Sequence, residues 1–264
     1  MAITTIPWGD GSGDNIYLSA PSQTGDQSVS VTSDPNTGAA RSKVVTFSAS
    51  GVSPVTLTIN QAAGQVSPVF YNHLEFDGTA YIDTDITPDA LASYRVVLGW
   101  EKTKAAQRIF LTRSANSTLV GAILGSTTNS TRRYFTIYYG NTASSNRYLA
   151  WTYESFTFYL TPYKFGWGNT GYTFSKGSNA PTGGLILGSN PAHGGQAYTG
   201  KMSIFRIYGS DAQNATDATD LMDNYTPVYT LRPCTYNGEA GMWCVETNKF
   251  YGNTAGAGTL TASN

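Results

Sequence analysis

Glu75 and Asp77, one residue apart in Leu74-Glu-Phe-Asp-Gly, are the first residues in this chain whose types and spacing could do chemistry. Alternate residues of a strand share a face. Two carboxyls about 5 to 10 Å apart are what glycoside hydrolysis requires. The pair has no third acid downstream, however, and Gly78 claims Asp77 for a turn. Between residues 90 and 210 only Glu101 and Glu154 follow, both beside lysine or aromatic residues, and both read as surface groups. His73 and His193 stand alone, and no Ser/His/Asp set carries a nucleophile motif around it. The expectation is a protein that is not an enzyme.

Binding residues are easier to nominate. An exposed aromatic ring with amide or hydroxyl donors beside it can hold a sugar, and Lys164-Phe-Gly-Trp-Gly-Asn-Thr-Gly-Tyr offers Trp167, Asn169 and Tyr172 in a glycine-rich setting. Asn141, Asn146 and Arg147 make a second polar loop. With 18 tyrosines and 11 phenylalanines, most rings must instead serve the core and strand-face pairs. Asp83, Asp85 and Asp89 are candidate calcium ligands, but their spacing completes no known loop, and turn capping is the commoner use of such residues. No cofactor is assigned.

Cys234 and Cys244 flank Tyr236-Asn-Gly, a hairpin-turn signal, so they read either as a disulfide across the turn or as a buried free pair. Two cysteines without a histidine-rich neighbourhood make no metal site. Near the N-terminus, Pro7 and Trp8 precede Gly9-Asp-Gly-Ser-Gly-Asp. Such a segment loses much entropy on ordering and needs a clamp. Trp8 reads as a docking anchor on another surface, or as part of its own module's core.

The elements that position these residues are strands. Four short alternating runs occupy residues 16 to 64: Ile16-Tyr-Leu-Ser, Gln27 to Thr32, Lys43 to Ser48 and Val55 to Asn60. From Val69 onward, strand-like runs recur every eight to fifteen residues, which suits a two-sheet jelly roll. Thr87-Pro-Asp-Ala-Leu carries a one-turn helix-start pattern, and residues 215 to 223 a short helical turn. Leu185 to Leu187 and Lys201 to Tyr208 read as strands. On the second, Met202, Ile204 and Tyr208 fall on one face and Phe205 and Ile207 on the other.

The chain is weakly charged, with 12% charged residues and a net charge of −1, but unevenly so. Residues 91 to 210 hold twelve lysines and arginines against two acids; the rest holds four against fifteen. The two regions either neutralise each other or leave a basic face for an anionic glycan or acidic partner. The bases are dispersed and no nucleic-acid module is recognisable, so no nucleic acid is expected. No apolar run spans a membrane, and the N-terminus lacks the pattern of a secretion signal, so no membrane partner is expected and any work outside a cell implies release by lysis.

Gly200-Lys-Met-Ser-Ile-Phe-Arg-Ile-Tyr resembles the late strand of laminin-G-like, or concanavalin A-like, jelly rolls. Leu74-Glu-Phe-Asp-Gly-Thr-Ala-Tyr-Ile-Asp-Thr is similar to their opening strands, and Gly241 to Asn253 to the closing hairpin of many phage-encoded versions. Asn36-Thr-Gly-Ala-Ala-Arg, followed by a strand ending in Gln61, resembles the second half of the BACON domain, an immunoglobulin-like β-sandwich of Bacteroidetes and their phages. The earlier strands of that domain are missing, so its carbohydrate binding is not carried over.

These resemblances imply an all-β chain: an attachment arm (1–15), a truncated BACON/Ig-like module (16–64), a linker (65–68) and a jelly roll (69–264). They further imply a structural protein on the virion surface of a phage, as capsid decoration or head fibre, with weak binding of host or mucus glycans. The alternatives are a tail-fibre or receptor-binding protein and a bacterial glycan-binding surface protein. Other virion proteins are the expected partners, with a homo-oligomer, a trimer, completing the half-module.

Overall fold

A computed structural model describes residues 2–20, 29–64, 67–100, 107–112, 121–126, 132–140, 142–143, 147–150, 155–168, 170–177, 183–188 and 198–264. The chain is all-β and divides into two compact units, Met1–Ser67 and Pro68–Asn264.

In the first unit, β1 (Ala2–Pro7), β2 (Asn15–Ala20) and β3 (Ser30–Ser33) form an antiparallel sheet. The strands β4 (Arg41–Ala49) and β5 (Val52–Gln61) form a hairpin. Trp8, Ile16, Leu18 and Val45 make the core, with Ile6, Phe47 and Ile59 against it. The N-terminal segment is therefore no free arm. Pro7 pairs with Asn15, and Trp8 is 5% exposed inside the unit's own core, so the anchor reading of these two residues gives way to burial.

The clamp that the glycine-rich loop needs is Arg41. Its Nη1 donates to Asp10 at 2.9 Å, to Asp14 at 2.9 Å and to Ser12 Oγ at 3.0 Å, while its Nε donates to Gln61 Oε1 at 2.8 Å. Its guanidinium also lies 4.5 Å from the centre of the Trp8 ring. One side chain thus ties the loop to β4, β5 and the core, offsetting the entropy of ordering the glycines. The Ser12 hydroxyl and then Arg41 hold the Asp10 carboxyl well below the usual range. Asn36 closes the loop before β4 by donating to Ala39 O and Ala62 O at 2.8 and 2.7 Å.

The second unit is a two-sheet jelly-roll sandwich. Its strands are β6 (Val69–Phe70), β7 (His73–Asp77), β8 (Tyr81–Asp83), β9 (Ser93–Trp100), β10 (Gln107–Thr112), β11 (Gly121–Ser126), β12 (Arg132–Tyr139), β13 (Thr142–Ala143) and β14 (Arg147–Ala150). There follow β15 (Ser155–Leu160), β16 (Lys164–Trp167), β17 (Thr170–Thr173), β18 (Leu185–Gly188) and β19 (Thr199–Tyr208). The helix α1 (Ala218–Asn224) precedes β20 (Pro227–Tyr236), β21 (Glu239–Cys244), β22 (Lys249–Tyr251) and β23 (Leu260–Ser263).

One sheet runs β13-β12-β11-β10-β18-β8, with β14 also on β12. The larger runs β17-β16-β15-β9-β19-β20-β21-β22, with β6 on β20, β7 on β19 and β23 on β7. Side chains of both merge into one core: Ile82, Phe110, Ile137 and Leu187 from the first, Leu74, Val96, Phe158, Phe205, Leu231 and Met242 from the second. Each such burial contributes about 1.5–3 kcal/mol. Phe110 and Phe205 meet across the layers at 5.1 Å, edge to face.

The central strand β19 departs from strict alternation. A bulge against β9 between Met202 and Phe205 turns Met202, Phe205 and Ile207 all into the core. Tyr208 instead joins Tyr159, Ala212, Ala215, Ala218 and Leu221 in a small cluster on the sheet's other face. The expected helical turn at Thr87 to Leu91 is a plain turn, because Asp89 accepts from Leu91 N and Ala92 N with its side chain and carbonyl respectively. Asp217 caps α1 through Thr219 N and Asp220 N.

Candidate functional site

The sequence-predicted aromatic platform is not on the surface. Trp167 is 5% exposed and belongs to the main core, its ring 5.3 Å from that of half-buried Tyr172. The cause is register: Trp167 pairs with Phe158, whose side chain faces the core, so Trp167 faces it too. Asn169 lies outside the described residues, as do Asn141, Asn146, Glu101, Glu154 and His193.

The cysteines are both buried and free. Cys234 pairs with Gly241 and Cys244 with Leu231, an offset of three residues that puts the two thiols on opposite faces of the sheet. A disulfide is thereby ruled out, and burial pushes the Cys234 thiol up to about 11.

The candidate calcium ligands have other work. Asp85 accepts from Lys249 Nζ at 2.5 Å and from the Tyr251 hydroxyl, and Asp89 closes its turn. Among the described residues no group of three or more His, Cys, Asp or Glu is placed to hold a metal.

The early carboxylates are likewise structural. Asp77 accepts from Thr79 N and Oγ1, Ala80 N and Thr259 N, and so fastens the turn after β7 to the start of β23. Burial pushes its carboxyl up, but these donors outweigh it and hold the group at about 2.

Tertiary structure does assemble one set that the sequence left apart. Ser263 Oγ lies 2.7 Å from His73 Nε2 and 2.9 Å from Glu75 Oε1, and Lys201 Nζ lies 2.9 Å from the same oxygen. This is not a nucleophile triad. The carboxylate accepts the hydrogen bond of the serine hydroxyl and lies on the same ring nitrogen side, 3.6 Å from Nε2, rather than orienting the imidazole from Nδ1. It acts as a polar tie between β7, β19 and β23, and Lys201 followed by Ser263 holds the Glu75 carboxyl below its usual range.

The surface site that the fold does build lies on β20, β21 and β22 of the larger sheet. Asn237 and Gly238, both at positive φ, close a two-residue turn and set the register of β20 against β21. Leu231, Met242 and Tyr251 then face the core. Arg232, Trp243 and Phe250, opposite one another on adjacent strands, face away from it. Phe70, Cys234 and Gly241 form the next row on that face.

On this floor the Tyr236 ring lies 5.3 Å from Trp243 and 5.5 Å from Phe250, both tilted. Tyr236 and Phe250 are half-buried, and Trp243 lies deeper. Arg232 covers Phe70, which is 37% exposed, with its guanidinium 4.0 Å from the ring centre. Gly241 admits the arrangement, since a Cβ there would meet the Phe250 ring at 2.7 Å. Glu239 and Asn253 stand at the rim, joined by Asn253 N to Glu239 Oε1 at 3.2 Å. Partly exposed aromatic rings beside a cation, on a face the core does not use, can hold an apolar ring face bearing polar substituents. The sequence shows these residues as a closing hairpin only; the Asn-Gly turn, followed by counting outward, would have paired Arg232 with Trp243.

No protein-family model and no curated protein sequence matches this chain. Among solved structures it is similar to a candidate carbohydrate-binding protein from Bacteroides ovatus ATCC 8483, with a TM-score of 0.50 and 11% identity over 95% of this chain and 69% of that one. A second is the native heptameric SAP-like pentraxin from Limulus polyphemus, with a TM-score of 0.39 and 11% identity over 59% of this chain and 90% of that one. Among the described residues no helix is long and apolar enough to cross a membrane.

Proposed function

We propose that this chain is a non-enzymatic glycan-binding protein whose saccharide platform is the pair of rings Tyr236 and Phe250, backed by the buried Trp243. The observation that carries this is the Tyr236 ring touching both Trp243 and Phe250 on the face of the large sheet opposite its core. A pyranose presents a face of C–H bonds that stacks on such rings, and Arg232, Glu239 and Asn253 supply partners for its hydroxyls. The likeness in fold to a candidate carbohydrate-binding protein agrees with it. The test is a glycan array followed by titration calorimetry on Tyr236→Ala and Phe250→Ala. Each ring contributes about 0.5–1.5 kcal/mol beyond its area, so affinity falls roughly two- to tenfold per variant. Unchanged affinity in both would refute the site.

The finer setting rests on sequence resemblance: a structural protein on the surface of a phage particle, in capsid decoration or a head fibre, with a tail fibre as the alternative. A specific feature of the first unit favours attachment through it. Val44, Val52 and Val55 of the β4–β5 hairpin are 58%, 67% and 64% exposed, apolar side chains on both faces of a two-stranded hairpin that a neighbouring copy or particle protein would cover. Quantitative mass spectrometry of purified particles tests this: tens to hundreds of copies indicate the head, about a dozen the tail, and absence refutes the virion setting.

A further inference from the structure

The face of the large sheet that carries the aromatic platform also carries three arginines. Arg95 on β9 and Arg206 on β19 are directly opposed, and their chain neighbours Tyr94, Val96, Phe205 and Ile207 are all in the core, so both guanidinium groups project to the other side. Arg206 is opposite Thr230 of β20, and Arg232 is the next residue of β20 on that face. The Arg232 guanidinium lies over Phe70, the partner of Cys234, on the side away from Thr230.

Among the described residues none of the three makes an ion pair. Arg95 donates through Nε to Ala218 O at 3.2 Å, and Asp223 of α1 is near enough to act on it without pairing. Like charges directly opposed across strands are destabilising, and all three side chains are only half-buried. Burial, and then the charge of Arg206, depress the Arg95 guanidinium. The same place holds a second unmet need. Tyr208, two residues from Arg206 on β19 and 1% exposed, has a buried hydroxyl with no hydrogen-bond partner, and both arginines act on it electrostatically.

An oxyanion answers the unpaired charge: it neutralises the opposed cations through paired N–H donors. Aromatic platform and cations share one face, so one ligand can engage both. We propose that Arg206, with Arg95 directly opposite it, is an oxyanion subsite, and that the saccharide taken by the platform farther along the same face is acidic, presenting a carboxylate or a sulfate to it. This rests on the platform reading above, and it commits that site to a substrate class.

The test uses the full chain and two kinds of probe. Oligosaccharides bearing a uronic acid or sulfate are compared with neutral counterparts by calorimetry, and sodium sulfate is compared with sodium chloride at matched ionic strength by thermal shift. Wild type is expected to prefer the acidic member about tenfold, a preference that Arg206→Gln removes and Arg206→Lys partly retains. Trp243→Ala should weaken acidic and neutral members alike.

Sulfate should raise the melting temperature of wild type beyond that of Arg206→Gln. If acidic and neutral sugars bind equally, the inference fails and the platform stands. If no sugar binds but the sulfate shift depends on Arg206, the subsite stands for a free anion and the saccharide reading fails. A sulfate shift of equal size in wild type and Arg206→Gln overturns the subsite.

Discussion

Replacing Gly241 by alanine puts the aromatic floor to its most direct test. An ideal Cβ at this position would run into Tyr251 O and lie 2.7 Å from two Phe250 ring carbons. Ordinary contact would require β21 and β22 to separate by about 1 Å, where Met242, Trp243 and Cys244 pair with Tyr251, Phe250 and Lys249. Overpacking of this kind costs about 1–3 kcal/mol, and the backbone entropy gained by removing a strand glycine returns less than about 1 kcal/mol. For a unit of this size each kcal/mol lowers the melting temperature by about 2–4 °C, so a fall of roughly 2–10 °C is expected. Thermal melts followed by far-UV circular dichroism measure it, and near-UV circular dichroism reports the rings. The double variant Gly241→Ala/Phe250→Ala removes two of the three close contacts, so its loss should be smaller than the sum of the single losses. A melting temperature within about 1 °C of wild type, with the near-UV spectrum intact, would show that Phe250 does not lie over Gly241.

The remaining predictions concern stability and chemistry. Asp77, held at about 2 in the folded chain, contributes stability fully above its unfolded value near 4 and loses it as pH falls toward 2. Asp77→Asn should therefore flatten the acid limb of a stability–pH curve between those values, and an unchanged limb would assign acid unfolding elsewhere. Intact mass should not change on reduction, and both Cys234 and Cys244 should alkylate only on unfolding; a mass gain of two protons on reduction would contradict the opposed faces. Trp167→Ala should cost about 3–5 kcal/mol in chemical denaturation as a core truncation, with glycan affinity of the folded fraction unaltered. Arg41→Ala should expose the loop from Gly9 to Asp14 to proteolysis and hydrogen exchange, since that side chain makes three hydrogen bonds to it; unchanged protection would mean that the glycine turns hold the loop alone.

What the sequence determines by itself is whatever local rules control. Strand periodicity, glycine turns and the Asn237-Gly238 signal act over a few residues, so the all-β class, the strands β18 and β19 and the β20–β21 hairpin are all legible in it. The turn that takes Asp77 is local in the same way, because Gly78 follows it directly. Composition shows that most rings must be interior, although not which ones. The Arg41 clamp escapes such rules because its partners lie about thirty residues upstream, and Trp8, its anchor-like neighbour, is buried against Ile16, Leu18 and Val45, which no local pattern specifies.

The tertiary structure alone decided which face of the sheet each aromatic residue takes. Trp167 and Trp243 sit in similar alternating strands, and the difference is whether the register of the partner strand turns each toward the second sheet or away from it. A single bulge in β19 moved Met202 to the same side as Phe205, which a period of two excludes. The arginine group is the extreme case. Residues 95, 206 and 232 are distant in the chain and meet only because β9, β19 and β20 are neighbours in the sheet. Strand order is a global choice made by burying the core from both sheets at once, and no local pattern encodes it.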